Sequence, residues 1–433
     1  MSIRHLLFAT ILSIALPVGA QGSVAPNASP AATTAGPATV LSLAQALQAA
    51  RNNLDVSLAR RALTAARADI TAADHAPAPV LSAKASSIDL QNGIGGGNAF
   101  TQKRIDKAIG LDWTWERGNK RALRTLAAQR TASAAQADVD EALVLQQLAT
   151  ASGYFDLLAA QERIEEVGAI SRSAAQLATT AARRVKAGDL AANDAARTEI
   201  EAQRASSDLL TAQLERQRAA LALAQLTGFT GPGMLQAQPD WPVRLAADDA
   251  PGDTTPYPLV EARADVRAAQ QRVEAAQAAL DVATAQKKAD ITVGTSFDHF
   301  PGTSNRLLEL RAQMPLYGIF GGYNFQGEVA RAQAQLDQAQ DLLDKTRRAG
   351  AIDLQRLQQD RQGAAARSLG FETTILPRAR KLAEMAELAY NKGAMSLTDL
   401  IDARRTLRAT LLEELAARTE HAKAAQAWKL RQQ

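Results

Sequence analysis

The chain has 433 residues, of which 46% are apolar, 4% aromatic and 22% charged, with a mean hydropathy of −0.18. With no Cys, disulfides, thiolate metal sites, Cys nucleophiles and lipidation through an N-terminal Cys are excluded. The 49 Lys and Arg nearly balance the 45 Asp and Glu and are interspersed with them, so a net charge of +4 does not mark a nucleic-acid partner. Long stretches are dominated by Ala and Gln. Ala forms helix readily but buries little area, which points to long helices in thin contact rather than one thick core.

Residues 1–20 read as a secretory signal peptide. Arg4 precedes the apolar run Leu6–Leu16, Pro17 breaks it, and Val18, Gly19 and Ala20 offer a small-residue cleavage site. No later segment has the roughly 18 continuous apolar residues of a membrane helix. The chain is therefore expected to be exported. Residues 21–41, rich in Ala, Pro, Thr and Gly, read as a flexible leader.

Two units of the same plan follow, at 42–227 and 258–431, joined by a Pro-rich linker at 228–257. In the first unit the pattern predicts a helix over 43–75, a strand over 79–90, a loop with Gly93, Gly95, Gly96 and Gly97, and a strand over 105–115. A long helix over 119–187, a turn at Gly188 and Asp189, and a helix over 192–227 complete it. The second unit predicts a helix over 258–288, strands over 290–298 and 306–316 around Pro301 and Gly302, and a long helix over 324–391, kinked at Pro377. A turn at Gly393 and a helix over 396–431 follow.

The helices carry narrow apolar stripes, such as Leu210, Leu214 and Leu221, or Leu400, Leu407, Leu411 and Leu415. Narrow stripes suit the wall of a hollow tube, where each helix touches only its lateral neighbours. In each unit the two short helices laid end to end match the long one, which at 1.5 Å per residue reaches about 100 Å.

The strands alternate. Ile109, Leu111, Trp113 and Trp115 interleave with Ala108, Gly110, Asp112 and Thr114; Leu308, Leu310 and Ala312 interleave with Glu309 and Arg311. About ten residues is the length that crosses a membrane at a tilt. Four strands cannot close a barrel, and an open sheet edge is forbidden in lipid, so membrane strands of this kind require several copies of the chain.

The duplicated helix–hairpin–long helix–turn–helix plan resembles the TolC family of outer-membrane efflux ducts. The resemblance extends to the two turns. Gly188 is followed six residues on by Asp194 within Arg184–Arg197, and Gly393 by Asp399 within Tyr390–Arg404. The resemblance implies a mainly α chain with a membrane β-barrel. Three copies would form a 12-stranded β-barrel in the outer membrane, continued by a 12-helix α-barrel across the periplasm. Shorter stretches, Glu116–Arg124 and Met314–Ala332, resemble the heavy-metal, CzcC-like branch, with Asn119 where that branch usually has Gly.

The resemblance also implies roles for residues. Asp399 and Asp402, one helical turn apart, would form two stacked carboxylate rings at the pore entrance, which attract cations. From the residues alone they read as solvated acids at a helix start. Gly188, Asp189, Asp194, Gly393, Met395 and Ser396 would lie at tips that meet a periplasmic membrane-fusion adaptor. Met395 replaces the usual basic residue there. Trp113, Trp115, Tyr317, Phe320 and Tyr323 would line the membrane interface, or else pack the strand-to-helix corner. His75, His299 and His421 read as surface or loop residues, and the Glu165–Glu166 pair as solvated.

No Ser/His/Asp set, phosphate-binding loop or zinc spacing is present in the sequence, so neither catalysis, nor a cofactor, nor a metal site is expected. The expectation is a passive outer-membrane exit duct in a Gram-negative cell, extending into the periplasm. Its partners would be two further copies of itself, an adaptor, an inner-membrane pump of resistance-nodulation-division type, and outer-membrane lipid, with no nucleic acid. Heavy-metal cations are the first expected cargo. Drugs or type I secreted proteins are the alternatives, and a poreless periplasmic coiled-coil protein is the alternative of a different class.

Overall fold

A computed structural model describes residues 39–86, 105–231, 234–242, 257–300, 304–317 and 322–432. The signal peptide, most of the leader, the glycine loop, Pro301, Gly302 and Phe320 lie outside the described residues.

The first unit runs α1 (Leu43–Ala50), α2 (Leu54–Ala73), β2 (Val80–Ser86), β3 (Asp106–Trp115), α3 (Lys120–Lys186) and α4 (Ala192–Thr227), preceded by β1 (Thr39–Leu41). The second runs α5 (Tyr257–Ala262), α6 (Ala264–Ala285), β5 (Ile291–Phe300), β6 (Ser304–Gln313), α7 (Gln326–Gly370), a π-helical turn (Phe371–Ile375), α8 (Leu376–Asn391) and α9 (Leu397–Arg431). Strand β4 (Leu235–Ala237) lies in the linker between the units.

Three predicted helices are interrupted. Helix 43–75 breaks before Asn53, whose side-chain Oδ1 accepts from the Asp55 N–H at 2.9 Å while its Nδ2 donates to Leu226 O at 2.8 Å on the end of α4. Helix 258–288 breaks at the matching place, at Arg263. Its buried guanidinium bonds Asp265 (2.9 Å) and Asp353 (3.0 Å) in a slot that the absent side chain of Gly350 leaves open. In the third, Pro377 brings no simple kink. It lacks an N–H, and the turn before it shifts to longer bonding, with the Leu376 N–H on Phe371 O.

Strands β1 and β4, at the end of the leader and inside the linker, pair in parallel. They close over α3, where Tyr154 donates to Gln238 O at 2.8 Å and Gln161 bonds both the N–H and the C=O of Ala237. Tyr154, Phe155, Leu157, Leu158 and Leu223 are fully buried here, the largest core of the chain. Trp241 stacks on Phe155, with centroids 6.0 Å apart. Burial pushes the Tyr154 phenol up to about 12.

The four long strands form one antiparallel sheet, ordered β2-β3-β5-β6. Register puts Leu81, Ile109, Leu111, Trp113, Trp115, Val293, Phe297, Leu308 and Leu310 on one face, all of them exposed. The other face carries Ser82, Lys84, Asp106, Asp112, Ser296, Asp298, Glu309 and Arg311. There Arg311 pairs with Asp112 at 2.5 Å, and a Cβ on Gly294 would collide with that carboxylate. Strands β2 and β6 are the edges. Among the described residues no helix is long and apolar enough to cross a membrane.

Both strand-to-long-helix corners use the same backbone device. Asn119 (φ 61°) and Phe325 (φ 57°) are left-handed, the residues immediately before α3 and α7. Asn tolerates this conformation, which explains its standing where a Gly is usual. Phe325 is strained there and is held by Tyr317, edge-on at 4.9 Å, and Tyr323 at 6.1 Å.

Charges brace the first corner. Asp290 accepts from the Arg117 N–H (2.9 Å) and from the buried Lys120 ammonium (2.7 Å), Glu116 pairs with Arg124, and Asp74 with Arg121. Burial sets their worth. Asp290→Ala leaves Lys120 without its partner and is expected to lower unfolding stability by about 1–3 kcal/mol. Arg121→Ala, at an exposed pair, is expected to change it by less than about 1 kcal/mol. Denaturant titration of the two purified variants checks the order.

Candidate functional site

Helix α3 places its turn about 100 Å from the sheet corner, at 1.5 Å per residue. The two turns are built alike. Gly188 (φ 82°) and Gly393 (φ 74°) take the left-handed conformation that ends each long helix. In the first, the Asp189 N–H bonds Arg184 O at 2.9 Å; in the second, the Ala394 N–H bonds Ala389 O at 2.8 Å. A Cβ on either glycine would meet nothing within 4 Å, so backbone dihedrals and not crowding select Gly.

Ser396 caps α9, accepting from the Asp399 N–H at 3.2 Å and donating to the Asp399 carboxylate at 2.8 Å. This Ser-x-x-Asp cap stiffens Asp399. Asp402 lies one turn further on, 3.5 Å from Arg405. Both carboxylates are exposed. Asp189 and Ser396 are exposed and Asp194 is half-buried. Met395 turns toward the chain, packing with Leu177 and Tyr390 on Leu397, Leu400 and Ile401.

The structure brings the two turns together. Arg184 of α3 donates to the Tyr390 hydroxyl of α8 at 3.1 Å, with its guanidinium 5.7 Å from the ring centre. Arg197 of α4 donates to Thr398 of α9 at 3.1 Å. Arg405 of α9 bonds Glu201 of α4, and Arg408 bonds Asp208. The Arg405 hydrogen bond holds the Glu201 carboxyl below its ordinary range and raises the guanidinium in return. A groove of about 260 Å³ runs between the paired coils, lined by Ile170, Leu177, Ile401, Leu407 and Leu411 and rimmed by charge.

Basic residues of α9 continue this bonding up the wall: Arg418 to Glu162, Lys423 to Asp156 at 2.5 Å, and Arg431 to Glu141 at 2.9 Å. Sequence reading missed these pairs, because partners 200 to 290 residues apart leave no local spacing signal. It also placed His421 at the surface; His421 is buried in α9, 8% exposed, and His299 is half-buried in β5. Glu165 is exposed as expected, while Glu166 lines the groove. The stripe Leu210, Leu214 and Leu221 is exposed on α4, uncovered by its own chain.

Of the interface aromatics, Trp113 and Trp115 are about 60% exposed on the apolar sheet face. Tyr317 and Tyr323 serve the corner as well as the surface. Among the described residues no group of three or more His, Asp or Glu is arranged to hold a metal ion.

The sequence profile of the outer membrane efflux protein family matches residues 46–229. The cobalt-zinc-cadmium resistance protein CzcC of Cupriavidus metallidurans is 26% identical over 295 residues, 67% of this chain and 68% of that one. A membrane protein from Pseudomonas aeruginosa superposes with a TM-score of 0.76 at 18% identity, covering 90% of this chain and 93% of the other. The CmeC outer membrane channel of Campylobacter jejuni does so at 0.74 and 15%, over 90% and 85%. Residues 46–229 are thus similar in sequence to the outer membrane efflux protein family, and over nine-tenths of its length the chain has the fold of these membrane proteins.

Proposed function

We propose that three copies of this chain form the exit duct of a tripartite efflux system and conduct heavy-metal cations from an inner-membrane pump and its adaptor to the outside. The observation that carries the duct is the sheet: apolar on one face, polar on the other, open at both edges, and set at one end of helices too polar to enter lipid. Closing β2 of one copy on β6 of the next satisfies both edges and gives a polar lumen. The exposed leucine stripe on α4 offers a further contact between copies. Metal as cargo is favoured over drugs or secreted protein by the likeness to a cobalt-zinc-cadmium resistance protein. The pump is read as one of the resistance-nodulation-division type.

In this reading the exposed tips around Gly188, Asp189, Asp194, Gly393 and Ser396 meet the adaptor. Asp399 and Asp402 ring the entrance, and fixed carboxylates there concentrate cations. The contacts Arg184–Tyr390, Arg197–Thr398 and Arg405–Glu201 tie the two tips of each copy together and hold the entrance narrow.

A deletion strain is expected to lose tolerance to Co, Zn or Cd salts while keeping tolerance to drugs and dyes. Growth on graded panels of both checks this, and drug sensitivity with normal metal tolerance would overturn the cargo assignment. In planar bilayers, Asp399→Ala/Asp402→Ala is expected to lower the cation-to-anion permeability ratio several-fold without loss of the trimer; an unchanged reversal potential would remove these residues from the entrance.

The Glu201 carboxyl is lowered in the folded chain, so its latch contribution is complete above the ordinary value of 4.5 and is lost as pH falls through the depressed value. Single-channel conductance of the wild type is therefore expected to stay low at neutral pH and to rise in acid below 4.5. Arg405→Ala should conduct more at neutral pH and show a smaller acid rise.

A further inference from the structure

We propose that the polar face of the sheet holds a transit site for a partly hydrated divalent cation, formed by the Asp298 carboxylate and the Ser296 and Ser82 hydroxyls around Gly110. The proposal rests on the duct reading, in which this face lines the lumen, and gives the cargo a stopping place inside the barrel.

The site starts from a buried charge. Among the described residues Asp298 is the one buried carboxylate, 3% exposed in β5. The buried Lys120 is paired with Asp290, and the buried Arg263 with Asp265 and Asp353. Asp298 has no such partner. Its carboxylate accepts the Ser296 hydroxyl, at 3.0 Å on Oδ1 and 3.1 Å on Oδ2, and among the described residues no Lys, Arg or His pairs with it. A neutral hydroxyl leaves the charge uncompensated, and charges taken out of water are paired or coordinate a metal ion.

Register surrounds the carboxylate with oxygen. Ser82, Gly110, Ser296 and Glu309 form one cross-strand row on this face, and Lys84, Ala108, Asp298 and Leu307 form the next. A Cβ on Gly110 would stand 2.8 Å from Ser82 Oγ and 3.2 Å from Ser296 Cβ, so glycine keeps the space between the two serines open. A cavity of about 150 Å³ lies there, lined by Ser82, Ser296 and Asp298, with room for about five waters. The Ser296 hydroxyl gives its proton to Asp298 and keeps lone pairs for a ligand.

The free charge nearby is acidic. Acids and bases around the cavity are equal in number, Asp106, Asp298 and Glu309 against Lys84, Lys107 and Arg311. Arg311 is neutralised by Asp112 at 2.5 Å, and Asp106 and Lys107 have partners of their own. Two carboxylates, Asp298 and Glu309, then face the exposed Lys84. Lys84 stands across Ala108 from Asp298, about 10 Å away at the spacing of neighbouring strands.

Ligand chemistry sets the class of ion. One carboxylate, two hydroxyls and water are hard oxygen donors, suited to a divalent ion that keeps part of its hydration shell. Several carboxylate or imidazole ligands would trap such an ion. A single carboxylate lets it leave again, as conduction requires.

The chain has no Cys, so Leu307→Cys places a single trifluoromethyl label on an exposed position directly opposite Asp298. The labelled full-length protein also carries Asp399→Ala/Asp402→Ala, which removes the entrance carboxylates from the measurement. It is refolded in nanodiscs and titrated with Mn²⁺. The fluorine signal is expected to broaden at Mn²⁺ concentrations at least tenfold lower than after addition of Asp298→Asn, and several-fold lower than after addition of Ser296→Ala. Zn²⁺ should restore the signal, and K⁺ at the same ionic strength should not. Broadening that neither added substitution weakens, or K⁺ as effective as Zn²⁺, would overturn the proposal. A chain that binds Mn²⁺ here yet passes no current in planar bilayers would instead overturn the duct reading and leave the cation site standing.

Discussion

Everything in this chain is subordinate to two unsatisfied strand edges. Among the described residues, no strand pairs with the outer edges of β2 and β6. Water could satisfy them, but the apolar face of the same sheet excludes water as a comfortable solvent for it. Lipid suits the face and rejects the edges. In the proposed duct a neighbouring copy resolves both demands. The two units of each chain contribute one hairpin apiece, and the β3–β5 pairing joins them into one sheet.

The helical part solves a different problem, how to be long without being thick. No continuous core runs the length of α3. Its bulky buried residues gather at one level, beneath the small β1–β4 sheet, with Tyr154, Phe155 and Leu158 at the centre. Elsewhere Ala contacts and ion pairs between α9 and the first unit hold the wall. Most of these pairs are partly exposed, and each is individually weak.

Much of this was legible in the residues, because long elements with strong periodicity leave strong signals. Helix α4 spans its predicted 192–227, and α9 differs by one residue. The alternation of β3 and the glycine turns were equally plain. What the sequence hid was local structure set by distant partners. Nothing near Arg263 announces a helix break, since the break is fixed by Asp353 and by space over Gly350. Three-residue strands in a Pro-rich linker carry no readable period, and β4 exists because β1 and α3 cover it. Near the site, the tip glycines and Asp399 were visible as a motif. The latch of Arg184, Glu201 and Arg405 was not, since its members belong to different units.

The π-helical turn at Phe371–Ile375 gives the two units different mechanical characters. A turn of this kind adds one residue to the helix, and one residue is about 100° of rotation about the axis. Everything beyond it, including the buried Leu376, Ala379, Ala383 and Ala386 of α8, is therefore out of phase with the stripe that α7 presents. Helix α3 has no such phase slip; it is one uninterrupted rod of 67 residues. The duplication is thus symmetric in topology and asymmetric in torsion. One helical hairpin of the chain is wound continuously from sheet to tip, while the other contains a joint that separates the twist of its tip from that of its shaft.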